Sequence, residues 1–180
     1  MEMTHRNAAT APAPGADGDQ PNLCAALSPL EGALLWSMRA WAIGLSRGIA
    51  TGQEIAALYA DLGIPEGAAV LDAMMLALNQ GATRMIDVNC VCHPNLSADE
   101  LDLVDLLALQ QEGRQEDAVA VLLGMAAPRD ALAIAQHAGM LVALLHQAGL
   151  HLPRGSAALR RHGFRALRAW EGPAPSTCLH

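Results

Sequence analysis

The sequence predicts an all-α protein, a compact bundle of roughly five to seven short helices around one hydrophobic core. Hydrophobic residues make up 52% of the 180 residues and charged residues only 16%, a balance that excludes general disorder. Aromatic residues contribute 3%. Because alanine, leucine and methionine recur at helical spacing instead, we expect a core of small and unbranched side chains within a single domain.

Composition divides the chain into three segments. Residues 1–22 lack the apolar run of a signal peptide and are predicted to be a disordered leader. Residues 23–152 are predicted to form the helical domain, and residues 153–180 a basic amphipathic helix with a frayed C-terminus. No apolar run reaches the ~20 residues that span a bilayer, so we expect a cytoplasmic protein whose cysteines stay reduced.

Helix starts are marked by three capping boxes, in which a Ser or Thr is followed three residues later by Glu. They begin at Ser28, Thr51 and Ser97. Glycines and prolines then divide the apolar pattern into successive helices. The predicted helices span roughly residues 29–46, 51–62, 65–78, 98–112, 114–123, 128–148 and 155–170.

The charge pattern along these helices predicts which faces are buried. In the first helix, Arg39 interrupts the apolar run and is expected at the edge of the apolar face. Asp102, Asp105 and Glu112 fall on one side of the helix over 98–112, a pattern more typical of a solvated face than of a cation site. The nearly uncharged helix over 128–148 is predicted to be central and buried on most sides.

Residues 85–101 contain the longest part of the helical domain that does not follow a helical pattern. Pro94 lacks an N–H and disfavours the α conformation at His93, so no helix is expected to pass through them. In an extended segment, alternate side chains share a face. Cys90 and Cys92 are therefore predicted to point to the same side, with His93 on the other.

Cys90, Cys92 and His93 are candidate metal ligands, because zinc binds thiolate and imidazole groups. The spacing is shorter than the usual Cys-x(2–4)-Cys of structural zinc sites. Candidates for a fourth ligand are Cys24, His137, His146 and His151. Two alternatives remain open: the thiols sense redox state, or they pack as small apolar side chains.

The C-terminal region is basic, whereas the rest of the chain is acidic. Residues 1–153 carry 6 Arg and 17 Asp plus Glu, and residues 154–180 carry 5 Arg and one Glu. A basic amphipathic helix in this region could bind the acidic body of its own chain, a protein partner or an anionic membrane surface. Strong nucleic-acid binding is disfavoured by the net charge of −7. The candidate partner-binding residues are Arg160, Arg161, Arg165, Arg168 and Trp170.

No phosphate-binding glycine loop, nucleophile elbow, zincin motif or kinase signature occurs in the sequence. We therefore expect a small helical interaction or regulatory module without catalytic activity. Its partner is expected to be a protein, including a homodimer formed through Trp36, Met38 and Trp41 of the first helix. The alternative is a protein that responds to zinc or to redox state through its Cys-Val-Cys-His segment.

Overall fold

A computed structural model describes residues 23–153, and within them the chain is all-α, as predicted. After a short 3-10 turn, six α-helices follow, and no strand occurs between residues 23 and 153. The residues of the predicted leader, 1–22, and of the basic helix, including Arg160, Arg161, Arg165, Arg168 and Trp170, lie outside the described part. The helices are α1 (Pro29–Arg47), α2 (Gly52–Asp61), α3 (Gly67–Gly81), α4 (Ala98–Gln111), α5 (Gln115–Leu123) and α6 (Pro128–Gln147).

Helix α4 lies at the centre of the fold, with α1, α5 and α6 packed against it. Ten of its 14 residues are buried, among them the carboxylate-bearing Asp105. The prediction that Asp102, Asp105 and Glu112 form a solvated face is therefore wrong, since Asp105 is fully buried and the other two are half-buried. Neighbours on several sides leave α4 no wholly exposed face, whatever its charge pattern.

Helix α6 has one buried side and one exposed side. One stripe, from Ala131 to Leu145, is buried against α3 and α4. On the other side, Leu132 and Met140 are 57% and 54% exposed. The prediction of burial on most sides is wrong, because α6 packs against α3, α4 and α5 through one apolar stripe and its opposite side is exposed. None of the helices within residues 23–153 is both long enough and apolar enough to cross a bilayer.

Two of the three predicted capping boxes are confirmed. The hydroxyl groups of Ser28 and Ser97 each accept a hydrogen bond from the backbone N–H three residues on, at 3.3 and 3.0 Å. In return, the carboxylate of the Glu at that position accepts from the backbone N–H of the serine. The box at Thr51 is wrong: its hydroxyl donates to the carbonyl of Ala40 at 3.0 Å and does not cap α2. Gly44 leaves the space that this hydroxyl occupies, since a Cβ there would collide with it.

The hydroxyl groups of Ser37 and Tyr59 form a polar pair in the core, 3.3 Å apart. Tyr59 is fully buried. Its ring packs so closely on Gly67 that any side chain at that position would overlap it. Burial raises the pKa of Tyr59 to about 12, although the hydrogen bond with Ser37 opposes the shift.

Candidate functional site

The connection between α3 and α4 is the part of the helical region where chemistry was predicted, and we refer to residues 85–97 as the connecting segment. It contains no helix, in agreement with the sequence. It is nevertheless held at several positions by hydrogen bonds to the first turn of α4. There Asp99 and Glu100 follow the capping residue Ser97, and both carboxylates accept hydrogen bonds from the segment.

Glu100 forms a buried ion pair with Arg39 of α1. Nε and Nη2 of Arg39 donate to the two carboxylate oxygens at 2.7 and 2.8 Å, and the side chains are only 3% and 1% exposed. Glu100 also accepts from the backbone N–H groups of Asn89 and Ser97 at 2.9 and 2.8 Å. A buried charge is tolerated only when it is paired and hydrogen-bonded, and this carboxylate meets both conditions.

Arg39 also holds the connecting segment directly. Nη1 donates to the carbonyl of His93 at 2.8 Å, and Nη2 donates to the carbonyl of Asn95 at 2.7 Å. Burial lowers the pKa of Arg39, but the hydrogen bond and the charge of Glu100 outweigh it and raise the pKa overall. The residue expected at the edge of the apolar face is therefore buried, and it joins α1, α4 and the connecting segment.

A second pair, Arg84 with Asp99, holds the beginning of the segment. Nη2 and Nη1 of Arg84 donate to the carboxylate of Asp99 at 2.6 and 2.8 Å. The backbone N–H of Asp87 donates to the same carboxylate at 2.7 Å. Nε of Arg84 reaches the carbonyl of Gly124 at 3.1 Å, which connects the segment to the end of α5. This pair is more open, since the Arg84 side chain is 45% exposed and that of Asp99 is 7% exposed.

The two cysteines of the segment lie on an exposed turn. The N–H of His93 donates to the carbonyl of Cys90 at 3.0 Å, so residues 90–93 form a turn and not the extended run that we predicted. The turn still brings the sulfur atoms of Cys90 and Cys92 to the same side, 3.4 Å apart, and both residues are exposed free thiols. A hydrogen bond with the Cys90 sulfur, together with its charge, raises the pKa of the Cys92 thiol.

His93 is engaged within the connecting segment. Its Nδ1 lies 3.2 Å from the backbone nitrogen and 3.0 Å from the carbonyl oxygen of Asn95, so the ring hydrogen-bonds to this residue in either tautomer. Its carbonyl accepts from Arg39 and also from the thiol of Cys24, whose sulfur lies 3.6 Å away. The histidine therefore helps to shape the turn through both its ring and its backbone.

The candidate zinc ligands do not gather into one group in the described residues. Between residues 23 and 153, no three His, Cys, Asp or Glu side chains are placed to hold a metal ion together. His146 and His151 contact each other, with ring centroids 5.3 Å apart. They lie near Leu152, which Gln111 binds at the C-terminal end of α4. The cysteines lie near the other end of this helix, whose 14 residues are ~21 Å long.

Each cysteine of the pair lines a different cleft. Cys90 lines a cleft of about 520 Å³ between α1, α3 and the start of the connecting segment, which we call the Cys90 cleft. Cys92 lines a smaller one of about 350 Å³, the Cys92 cleft, together with Cys24, Trp36 and Pro94. A reagent in the Cys90 cleft therefore meets a different sulfur from a reagent in the Cys92 cleft.

Sequence reasoning selected the cysteines but missed the residues that position them. Arg39 and Asp99 received no role in the site, and Glu100 was predicted only as a helix cap. The available signal was a charge inside an apolar helical stripe, which requires a buried partner when the stripe faces the core. Comparisons with family models, with curated proteins and with solved structures find no match for this chain.

Proposed function

We propose that the protein is a redox-responsive helical module in which Cys90 and Cys92 interconvert between a dithiol and a disulfide. The observation that carries this proposal is the 3.4 Å separation of two exposed, free sulfur atoms. A disulfide bond is about 2.05 Å long, so oxidation requires the sulfurs to approach by roughly 1.4 Å. The adjustment falls within the 90–93 turn, which contains both cysteines.

The reaction is thiol–disulfide exchange with an external disulfide compound. The thiolate of one cysteine attacks a sulfur of that compound, forms a mixed disulfide and expels one thiolate. The second cysteine loses its proton to solvent and attacks the protein sulfur of the mixed disulfide, which closes the Cys90–Cys92 bond and expels a second thiolate. Two protein thiols are oxidised, and one external disulfide is reduced to two thiols. Exposed disulfides belong to the labile, regulatory class.

A regulatory role is supported by what the turn is attached to. The carbonyl groups of His93 and Asn95 accept hydrogen bonds from Arg39, which is paired with Glu100 of the central helix. A change in the separation of the sulfurs alters the 90–93 turn and therefore acts on this buried pair. The redox state of the surface thiols is in this way coupled to the contact between α1 and α4.

The test uses the full chain with Cys24→Ser and Cys178→Ser, so that only the pair can react. In glutathione redox buffers we expect a loss of two alkylatable thiols and a mass decrease of two hydrogen atoms. With Cys90→Ser or Cys92→Ser, the product should instead be a mixed disulfide with glutathione. The Nε–H resonance of Arg39 should shift on oxidation. A pair that remains alkylatable in the most oxidising buffer contradicts the proposal.

Zinc binding by Cys90, Cys92 and His93 stays a prediction, with two thiols close together as its support. Elemental analysis of purified protein distinguishes it from the redox proposal. Stoichiometric zinc that is lost in both Cys90→Ser and Cys92→Ser supports a metal site. Zinc at equal levels in the wild type and in both variants contradicts one.

The interaction module also stays a prediction, as do its cytoplasmic location, its lack of catalysis and its protein partner. One detail of the expected homodimer surface is wrong: Met38 is fully buried in the core and cannot form an interface. Trp36 remains half-buried at the Cys92 cleft. Sedimentation equilibrium of the wild type and of Trp36→Ala tests the dimer. A monomeric wild type contradicts it.

A further inference from the structure

The Cys90 cleft differs in charge from the rest of the protein. The chain has a net charge of −7, yet no carboxylate lines this cleft. About half of its lining surface is apolar, with Trp41, Met75, Leu78 and Ile86 among the apolar residues. Its volume of about 520 Å³ lies within the range of small-molecule sites.

Two arginines line the cleft, and only one has a free charge. Arg84 uses its guanidinium on Asp99 and on the carbonyls of Gly124 and Met85. Arg47, in the last turn of α1, makes no ion pair with any residue between 23 and 153 and is exposed. A ligand of the cleft therefore meets an apolar wall, one unpaired positive charge and the Cys90 thiol.

We propose that the Cys90 cleft selects the oxidant: a small disulfide compound with an apolar body and an anionic group. The apolar body lies against the Trp41 wall, and the anion is attracted by Arg47. Cys90 attacks the disulfide sulfur that faces the cleft and expels one thiolate. Cys92, which lies 3.4 Å away and outside this cleft, then attacks the sulfur of Cys90, closes the protein disulfide and expels the second thiolate.

This inference rests on the proposed function, and it adds the class of oxidant and the order of attack. Because the thiolate is the attacking form of each cysteine, both steps should accelerate as pH rises. The first step depends in addition on how a reagent enters the Cys90 cleft. The two steps can therefore be measured separately, as release of the first and of the second thiolate.

The experiment compares two aromatic disulfides of similar size. Dithiobis(nitrobenzoate) is anionic and dithiodipyridine is neutral, and both release a coloured thiol. The protein is the full chain with Cys24→Ser and Cys178→Ser. The rate with the anionic reagent is divided by the rate with the neutral one. This ratio is then divided by the same ratio for the free peptide Asn-Cys-Val-Cys-His-Pro, which removes the intrinsic reactivity of the reagents. We expect the normalised ratio of the protein to exceed one.

Charge variants test the role of Arg47. Arg47→Gln should lower the normalised ratio by about two- to fivefold at low ionic strength, the range for an exposed charge attraction. The effect should vanish in ~1 M salt. Arg129→Gln is the matched control, because Arg129 is exposed but does not line the cleft. Equal ratios for Arg47→Gln and Arg129→Gln would overturn the inference.

Cysteine variants test the order of attack. Cys92→Ser should keep the preference for the anionic reagent and release one thiolate for each protein molecule. Cys90→Ser should lose the preference, because Cys92 lines the other cleft. A preference that survives in Cys90→Ser contradicts the assignment. A pair that reacts with both reagents as the peptide does refutes this inference alone, whereas a pair that forms no disulfide refutes the proposed function itself.

Discussion

The two guanidinium–carboxylate pairs at the start of α4 perform the same task in different surroundings. Each carboxylate binds an arginine through two hydrogen bonds and also accepts a backbone N–H of the connecting segment. Arg39 and Glu100 are almost completely buried, whereas the Arg84 side chain is 45% exposed. The same kind of ion pair is therefore present twice, once buried and once with its arginine open to solvent.

The difference indicates that the buried pair holds the cysteine turn in position more firmly than the open pair does. In the buried pair, removing one partner leaves the other as an uncompensated charge, which is costly. In the open pair, Asp99 is itself only 7% exposed, but removing the half-exposed Arg84 side chain lets water reach and screen the remaining charge. The buried pair also holds the carbonyls of His93 and Asn95, next to the cysteines, whereas the open pair holds Asp87, farther back along the segment.

The largest expected effect comes from breaking the buried pair. Arg39→Met keeps the unbranched apolar part of the side chain but removes the guanidinium group, so Glu100 is left buried and without its ion-pair partner. We expect the free energy of unfolding to fall by about 3–5 kcal/mol. Urea denaturation followed by circular dichroism measures it.

The control for this prediction is the double variant Arg39→Met/Glu100→Met, which removes both charges. It should recover part of the lost stability, because an apolar pair replaces an isolated charge. Recovery should be incomplete, since the N–H groups of Asn89 and Ser97 also lose their acceptor. A double variant as unstable as the sum of the two single ones would mean that the charges are not coupled.

Alkaline titration affects the Ser37–Tyr59 pair in the core while both ion pairs keep their charges. The pKa values of Arg39 and Arg84 are raised, so both guanidinium groups stay charged when Tyr59 ionises. Burial raises the pKa of Tyr59 from 10.0 to about 12. The neutral form is thus favoured in the folded state, and its contribution is fully present below pH 10 and lost as pH rises through 12. Two pKa units correspond to about 3 kcal/mol.

Absorbance of tyrosinate measures this directly, because Tyr59 is the one tyrosine in the chain. Urea denaturation at increasing pH gives the matching loss of stability. Tyr59→Phe should be less stable near neutral pH, since Ser37 loses its partner, but its stability should fall less steeply above pH 10. Tyrosinate that forms with a midpoint near 10 while the helices remain intact would contradict burial as the cause.

The helices themselves were largely predictable, because their signals are local. Ser28 and Ser97 fulfil their capping role with partners three residues away, and the glycines after α1 and α2 end these helices with positive φ. Thr51 carries the same local signal, yet its hydroxyl binds Ala40 across the α1–α2 turn. Where a distant acceptor competes, the local pattern does not decide.

Burial was less predictable, because it depends on how the neighbouring helices are placed around a given helix. The acidic pattern of α4 indicated a solvated side, but α4 is the central helix and Asp105 is fully buried. The apolar pattern of α6 indicated a central helix, but Leu132 and Met140 are exposed. The ion pair of Arg39 and Glu100 joins residues 61 positions apart, and no local pattern reports such a contact. The cysteine turn was found from its residue types, and its supports were missed for this reason.

The smallest expected effect, and the sharpest test of the comparison, comes from the open pair. Arg84→Met should lower the free energy of unfolding by about 1 kcal/mol, because loss of the half-exposed Arg84 side chain lets water reach Asp99, which also keeps the N–H of Asp87. Amide hydrogen exchange should accelerate at Asp87 while the amide of Asn89, which binds Glu100, stays protected. If Arg84→Met destabilised the protein as much as Arg39→Met, burial could not explain the difference between the pairs. Number and geometry of hydrogen bonds, which the two pairs nearly share, would then set the stability of the segment.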